Sequence, residues 1–128
     1  MGSRPLTFPP FDDARLLDWL QEADGDKADR LPFGIIAMDH DGYVELYNAY
    51  EAKASGFTRE RAIGRNFFRT FGRCTNNPLV AGRLLGNADI DDTIHHTFTF
   101  RMKVVPVRLR LLKRLPLARM ALAVDQGA

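Results

Sequence analysis

Three side chains near the middle of this 128-residue sequence have the types and spacing to act together on one group: Tyr47, Glu51 and Ser55. Residues 43–47 read as the return strand of a hairpin, and at Asn48 the chain turns into a short helical segment. Tyr47 therefore falls at a strand end, while Glu51 and Ser55, four apart, share one helix face. A phenol, a carboxyl and a hydroxyl are gathered beside an apolar hairpin, a set suited to a buried, ionisable aromatic group. Cys74, the single cysteine, is the one nucleophile able to tether such a group. Lying just ahead of a helix N-terminus and beside Arg73, its thiolate is favoured; the plainer reading of a lone cysteine is a small buried hydrophobe. For Glu51 the plainer reading is an exposed helical glutamate beside Lys53.

The elements that must position these residues follow from local pattern. Asp12 or Asp13 can cap a short helix carrying Leu16, Leu17, Trp19 and Leu20, too short to persist unless it covers something. Residues 25–30 read as a polar linker. Residues 31–38 form an apolar strand, and Asp41–Gly42 is a strong hairpin signal. After Gly56, Thr58 caps another short helix that Gly64 ends. Asn77 and Pro78 open a longer helix with Leu79, Val80, Leu84 and Leu85 on its apolar side. Residues 87–92 read as a loop. From 93 to 102 the chain alternates, with Ile94, His96, Phe98, Phe100 and Met102 on one side and Thr93, His95, Thr97, Thr99 and Arg101 on the other. Residues 107–111 form a second long strand, and 117–124 a third. This order predicts one α+β domain with an antiparallel sheet.

Composition narrows the classes. Hydrophobic residues are 45% and charged residues 27% of the chain, an ordinary soluble balance. No apolar run approaches a membrane span and no signal-peptide core is visible, so a cytoplasmic protein without a membrane partner is expected. The formal charge of +2 conceals an asymmetry. Acids dominate residues 12–29, whereas residues 93–124 contain none and carry Arg101, Lys103, Arg108, Arg110, Lys113, Arg114 and Arg119. No interleaved aromatics or motif suggest nucleic acid; the basic face reads as solvated or covered by the acidic N-terminus. His40, His95 and His96 do not have metal-ligand spacing and read as surface or satisfied core histidines. No base–nucleophile pair appears, so an enzyme is not expected.

These residues resemble the photoactive yellow protein family of PAS-fold blue-light sensors. The resemblance runs from about residue 31 to 114. It is densest in Leu31–Pro32–Phe33–Gly34 through Asp41–Gly42, Tyr47–Asn48–Ala49, Glu51, Gly64–Arg65–Asn66–Phe67–Phe68 and Cys74–Thr75. It implies a PAS fold of about five antiparallel strands flanked by short helices, with residues 1–30 as an N-terminal helical cap and linker and 31–128 as the PAS domain. It further implies that Cys74 holds p-coumaric acid (4-hydroxycinnamic acid) as a thioester. Tyr47 and a protonated Glu51 would hydrogen-bond the phenolate, Ser55 would orient Tyr47, and Phe67, Phe68, Phe98 and Phe100, with Met102 nearby, would wall the ring. Light isomerisation and proton transfer from Glu51 would then trigger partial unfolding read by a downstream signalling protein, the sensor being a monomer or weak dimer.

Three features depart from the family pattern. Phe57 stands where the family's best-known form has an arginine, the segment after Met102 is longer, and the C-terminal strand lacks the family's aromatic ending. Two other readings accompany the first: a PAS ligand-sensing or protein-interaction module without a covalent chromophore, and a thiol sensor at Cys74.

Overall fold

The alternating C-terminal third forms two twelve-residue strands in the computed structural model, which describes residues 8–70, 72–100 and 103–126, the side chains of residues 99, 100 and 103 excepted. In chain order the elements are α1 (Leu16–Glu22), α2 (Gly25–Ala28), β1 (Gly34–Met38), β2 (Val44–Tyr47), α3 (Ala49–Ser55), α4 (Arg59–Ala62), α5 (Phe67–Thr70), a short 3-10 turn (Arg73–Thr75), α6 (Ala81–Gly86), β3 (Asp89–Phe100), β4 (Lys103–Arg114) and β5 (Met120–Asp125). The strands form one antiparallel sheet in the order β2-β1-β5-β4-β3. This is the expected α+β arrangement.

The β1–β2 hairpin closes where Asp41–Gly42 predicts it. Gly42 has φ 95°, a left-handed conformation that suits glycine, and Asp39 Oδ1 accepts from the backbone N–H groups of Asp41 and Tyr43 at 2.9 and 3.0 Å.

Both faces of the sheet are covered, which is why all five residues of β1 are buried. Alternation then divides the core. Ile36, Met38, Leu122 and Val124 pack with Tyr47, Phe67, Phe68, Leu84 and Phe98 on one face. Ile35, Ala37, Ala121 and Ala123 pack with Phe11, Leu16, Leu17, Leu20 and Phe33 on the other. The N-terminal helix thus lies across the sheet. Its three buried leucines each contribute about 1.5–3 kcal/mol, against about 0–1 kcal/mol for an exposed ion pair such as Asp18–Arg114. Apolar contact holds the cap; charge orients it. Arg110, 4% exposed, is with Lys113 an exception among the basic residues. It grips both Asp91 carboxylate oxygens at 2.8 Å and donates to the carbonyls of Phe11 and Asp13 at 2.6 and 2.9 Å.

Several boundaries differ from the sequence reading. Neither Asp12 nor Asp13 caps α1; Asp13 Oδ1 instead accepts from Arg15 N at 2.7 Å, reaching two residues on rather than into the first helical turn. The supposed linker 25–30 contains α2, because Asp24 accepts from Lys27 N at 2.9 Å and starts a helical turn. The supposed loop 87–92 ends early: β3 begins at Asp89, whose register partner is Arg114 at the far end of β4. The helix after Pro78 begins at Ala81, preceded by a turn in which Asn77 Oδ1 accepts from Leu79 N and Val80 N. The third long strand starts at Met120 rather than at 117. Met102 and the Phe100 side chain lie outside the described residues.

Candidate functional site

Asn48 creates the site. As the N-cap of α3 its side-chain oxygen accepts from Glu51 N at 3.1 Å, and also from Ile35 N at 3.0 Å. Its amide donates to the carbonyls of Ala28 and Phe33, both at 2.9 Å. Fully buried and bonded on every side, Asn48 pins the β2–α3 junction to β1 and α2. Tyr47 therefore ends β2 with its ring in the core, and α3 leaves at an angle that turns Glu51 and Ser55 inward. Gly56, at φ 76°, ends the helix immediately after Ser55.

The three side chains converge as their spacing predicts. The Tyr47 hydroxyl lies 2.7 Å from Ser55 Oγ. Tyr47, Glu51 and Ser55 are 3%, 2% and 8% exposed, so the reading of Glu51 as a surface acid is excluded. Glu51 Oε1 is buried without a hydrogen-bond partner. An unsatisfied buried carboxyl oxygen is costly, and burial pushes the Glu51 carboxyl up to about 7. Burial, and then the negative charge of Glu51, push the Tyr47 phenol above its usual range, while the Ser55 bond pulls it back. Glu51 fits only because Gly34 has no side chain: a Cβ there would run into its carboxyl group. A glycine inside an otherwise apolar strand signals such a close approach, and was the available clue to this packing.

Phe67, Phe68 and Phe98 are buried in the same cluster as Tyr47, the first two in edge-to-face contact at 5.4 Å. Phe57, half-buried against this cluster, carries the Arg61 guanidinium 4.6 Å from its ring centre. An arginine thus reaches position 57 from one turn further along the chain.

Cys74 departs from its expected setting. It lies in the 3-10 turn, seven residues before α6, so no helix N-terminus directly follows it. Its side chain is exposed rather than a buried hydrophobe. Thr75 takes the buried place instead, its backbone N–H bonded to Gly72 O at 2.9 Å. Gly72 abuts the Phe67 ring closely enough to exclude a Cβ, so the cysteine turn rests directly on the aromatic wall. Cys74 O accepts from Asn77 Nδ2 at 2.9 Å, fixing the backbone on its other side.

Of the histidines, His95 is exposed and His40 Nε2 lies 2.7 Å from Leu117 O. His96 is not a satisfied core histidine: its Nε2 is buried without a partner, and burial lowers its pKa. No cluster of three or more potential metal ligands occurs among the described residues. No helix among them is long and apolar enough to cross a membrane.

A five-stranded antiparallel sheet with short helices packed over one face and a helical cap on the other is the architecture of a PAS sensor domain. The chain superposes on the PAS domain of an HTR-like protein from Haloarcula marismortui with a TM-score of 0.58 at 19% identity, covering 84% of this chain and 93% of that one. A nearer likeness is the photoactive yellow protein domain of the sensor histidine kinase Ppr from Rhodospirillum centenum. There the TM-score is 0.77 and the identity 31%, over 85% of this chain and 98% of the other. Photoactive yellow proteins from Halochromatium salexigens and Rhodothalassium salexigens are 32% and 30% identical over 89 and 86 residues, covering 67% and 65% of this chain and 71% and 69% of theirs. No protein-family model matches. The chain belongs to the photoactive yellow protein family.

Proposed function

We propose that this sensor domain is a blue-light photoreceptor holding p-coumaric acid through Cys74. The observation that carries the reading is the unpartnered buried oxygen of Glu51 beside the Tyr47–Ser55 pair, a carboxyl and a phenol gathered in an apolar site. When bound, the group supplies a photoisomerisable double bond and a phenolate. Cys74 would hold it through sulfur, with Phe67 and Phe98 excluding water. Tyr47 would donate from its hydroxyl, oriented by Ser55, and Glu51 from a carboxyl kept protonated by burial and by a neighbouring negative charge. Loss of that proton leaves Glu51 as a carboxylate in an apolar site, a state costly enough to loosen the short helices that enclose it. A downstream signalling protein would read the loosened surface. No substrate is turned over.

The exposure of Cys74 supports attachment, since an activated acid can reach its sulfur in the folded chain. It also favours a second reading, a thiol sensor in which oxidation of Cys74 is the input. Incubation of the purified chain with the anhydride of p-coumaric acid separates the two. Under the first reading the intact mass rises by one coumaroyl group and a visible band appears, and Cys74→Ala loses both. A chain that gains no such mass, or a mutant that gains it equally, overturns the reading.

A further inference from the structure

The relative placement of Tyr47 and Glu51 depends on the β2–α3 junction, and that junction is tied from two sides. Asn48 ties it from within. On the outside, Arg59 Nε of α4 donates to the Tyr47 carbonyl at 3.0 Å, and its Nη2 donates to Asp29 Oδ1. The same Asp29 oxygen accepts from Ala49 N at 2.7 Å, the first N–H of α3. The circuit Tyr47 O, Arg59, Asp29, Ala49 N therefore spans the junction and bonds the residue before Asn48 to the residue after it. Arg59 is also laid along α2, where a Cβ at Gly25 would stand 3.6 Å from its Nη1.

We infer that Arg59 is a positioning residue for the Tyr47–Glu51 pair, acting through Asp29 and the two backbone groups that flank Asn48. Its planar fork suits the task, because Nε and Nη2 serve two acceptors at once, whereas a lysine has a single ammonium at the end of a flexible stem. The Arg59 and Asp29 side chains are 36% and 28% exposed, so the pair contributes little to global stability. The internal Asn48 bonds keep the fold when the outer circuit is cut. What changes is the angle at which α3 leaves β2, and with it how completely the Glu51 carboxyl is shut away over Gly34. The titratable group facing that carboxyl is the Tyr47 phenol; Gly34 presents it no charge.

The inference rests on Tyr47 and Glu51 being the working pair of the site, but its test needs no bound group. The full chain, without chromophore, carries a carbon-13 label on its glutamate carboxyls, with Glu51 assigned by comparison with Glu51→Gln, and its midpoint is followed by NMR. In Arg59→Ala the Glu51 midpoint is expected to fall toward the ordinary glutamate range, with the urea unfolding midpoint nearly unchanged. Arg59→Lys, which can keep one contact, should lie between the two. If Arg59→Ala proves poorly folded, Asp29→Asn decides the matter: its oxygen can still accept from Ala49 N but its charge no longer holds Arg59, so a smaller fall is expected. A Glu51 midpoint equal to wild type in the folded variants overturns the inference. That failure would leave chromophore uptake at Cys74 untouched, and failed uptake would leave the Glu51 midpoints standing.

Discussion

Ser55 Oγ stands between Tyr47 and Phe57, 2.7 Å from the phenolic hydroxyl and accepting from Phe57 N at 3.0 Å. With the amide as donor, the hydroxyl proton of Ser55 can point at the Tyr47 oxygen, in keeping with the bond's downward pull on the phenol's pKa. Ser55→Ala removes this arrangement and should cost about 1 kcal/mol, the net worth of one buried hydrogen bond. Urea denaturation measures it. An unchanged midpoint would mean that Ser55 has no hold on Tyr47.

Glu51 makes stability depend on pH with a definite sign. Its carboxyl titrates at about 7 in the folded chain against 4.5 for an ordinary glutamate. Between those values the folded state retains a proton that the unfolded state has released, so the contribution is fully present below pH 4.5 and is lost as pH rises through about 7. Each unit of separation is worth about 1.4 kcal/mol. Wild-type stability should therefore fall across this window by about 1–3 kcal/mol more than that of Glu51→Gln. Denaturation curves at several pH values give the comparison, and parallel profiles would contradict it.

Gly34→Ala tests the packing beneath the acid. A methyl group there meets the Glu51 carboxyl and approaches Val124 Cβ to 3.2 Å. Overpacking of this kind costs about 1–3 kcal/mol, and the carboxyl must move outward, so its titration midpoint should drop. A stable variant with an unmoved midpoint would show that Glu51 does not rest on Gly34.

Arg110→Lys should release the N-terminal cap without unfolding the sheet. Lysine cannot reproduce two bonds to Asp91 and two to the Phe11 and Asp13 carbonyls. Loss of about 2–3 kcal/mol is expected, with hydrogen exchange accelerated in residues 8–22 and little altered in β1 and β5. Uniform acceleration would make Arg110 a general core residue rather than a clasp.

The sequence carried the central site and missed its surroundings for physical reasons. Tyr47, Glu51 and Ser55 were legible because helix periodicity and a cap at Asn48 are local rules. The hairpin was legible through Asp41–Gly42, and the covering of the basic face through the acids of residues 12–29. Cys74 was misplaced because a three-residue 3-10 turn leaves no periodic trace, so Asn77–Pro78 seemed to begin the helix sooner than it does. Asp89, Asp91 and Asp92 resemble a loop in composition, yet they pair with the end of β4. The Asp29–Arg59 circuit joins residues thirty apart through a helical turn that reads as linker, and only the folded chain brings it together.

The central claim is that Glu51 holds a proton in the dark and surrenders it after illumination. Light-minus-dark infrared difference spectroscopy of the chain reconstituted with p-coumaric acid tests it most directly. A protonated-carboxyl band that disappears on illumination in the wild type, and is absent from Glu51→Gln, is the expected result. A wild type that takes up the chromophore yet shows no such band, or shows the same band in Glu51→Gln, would contradict it.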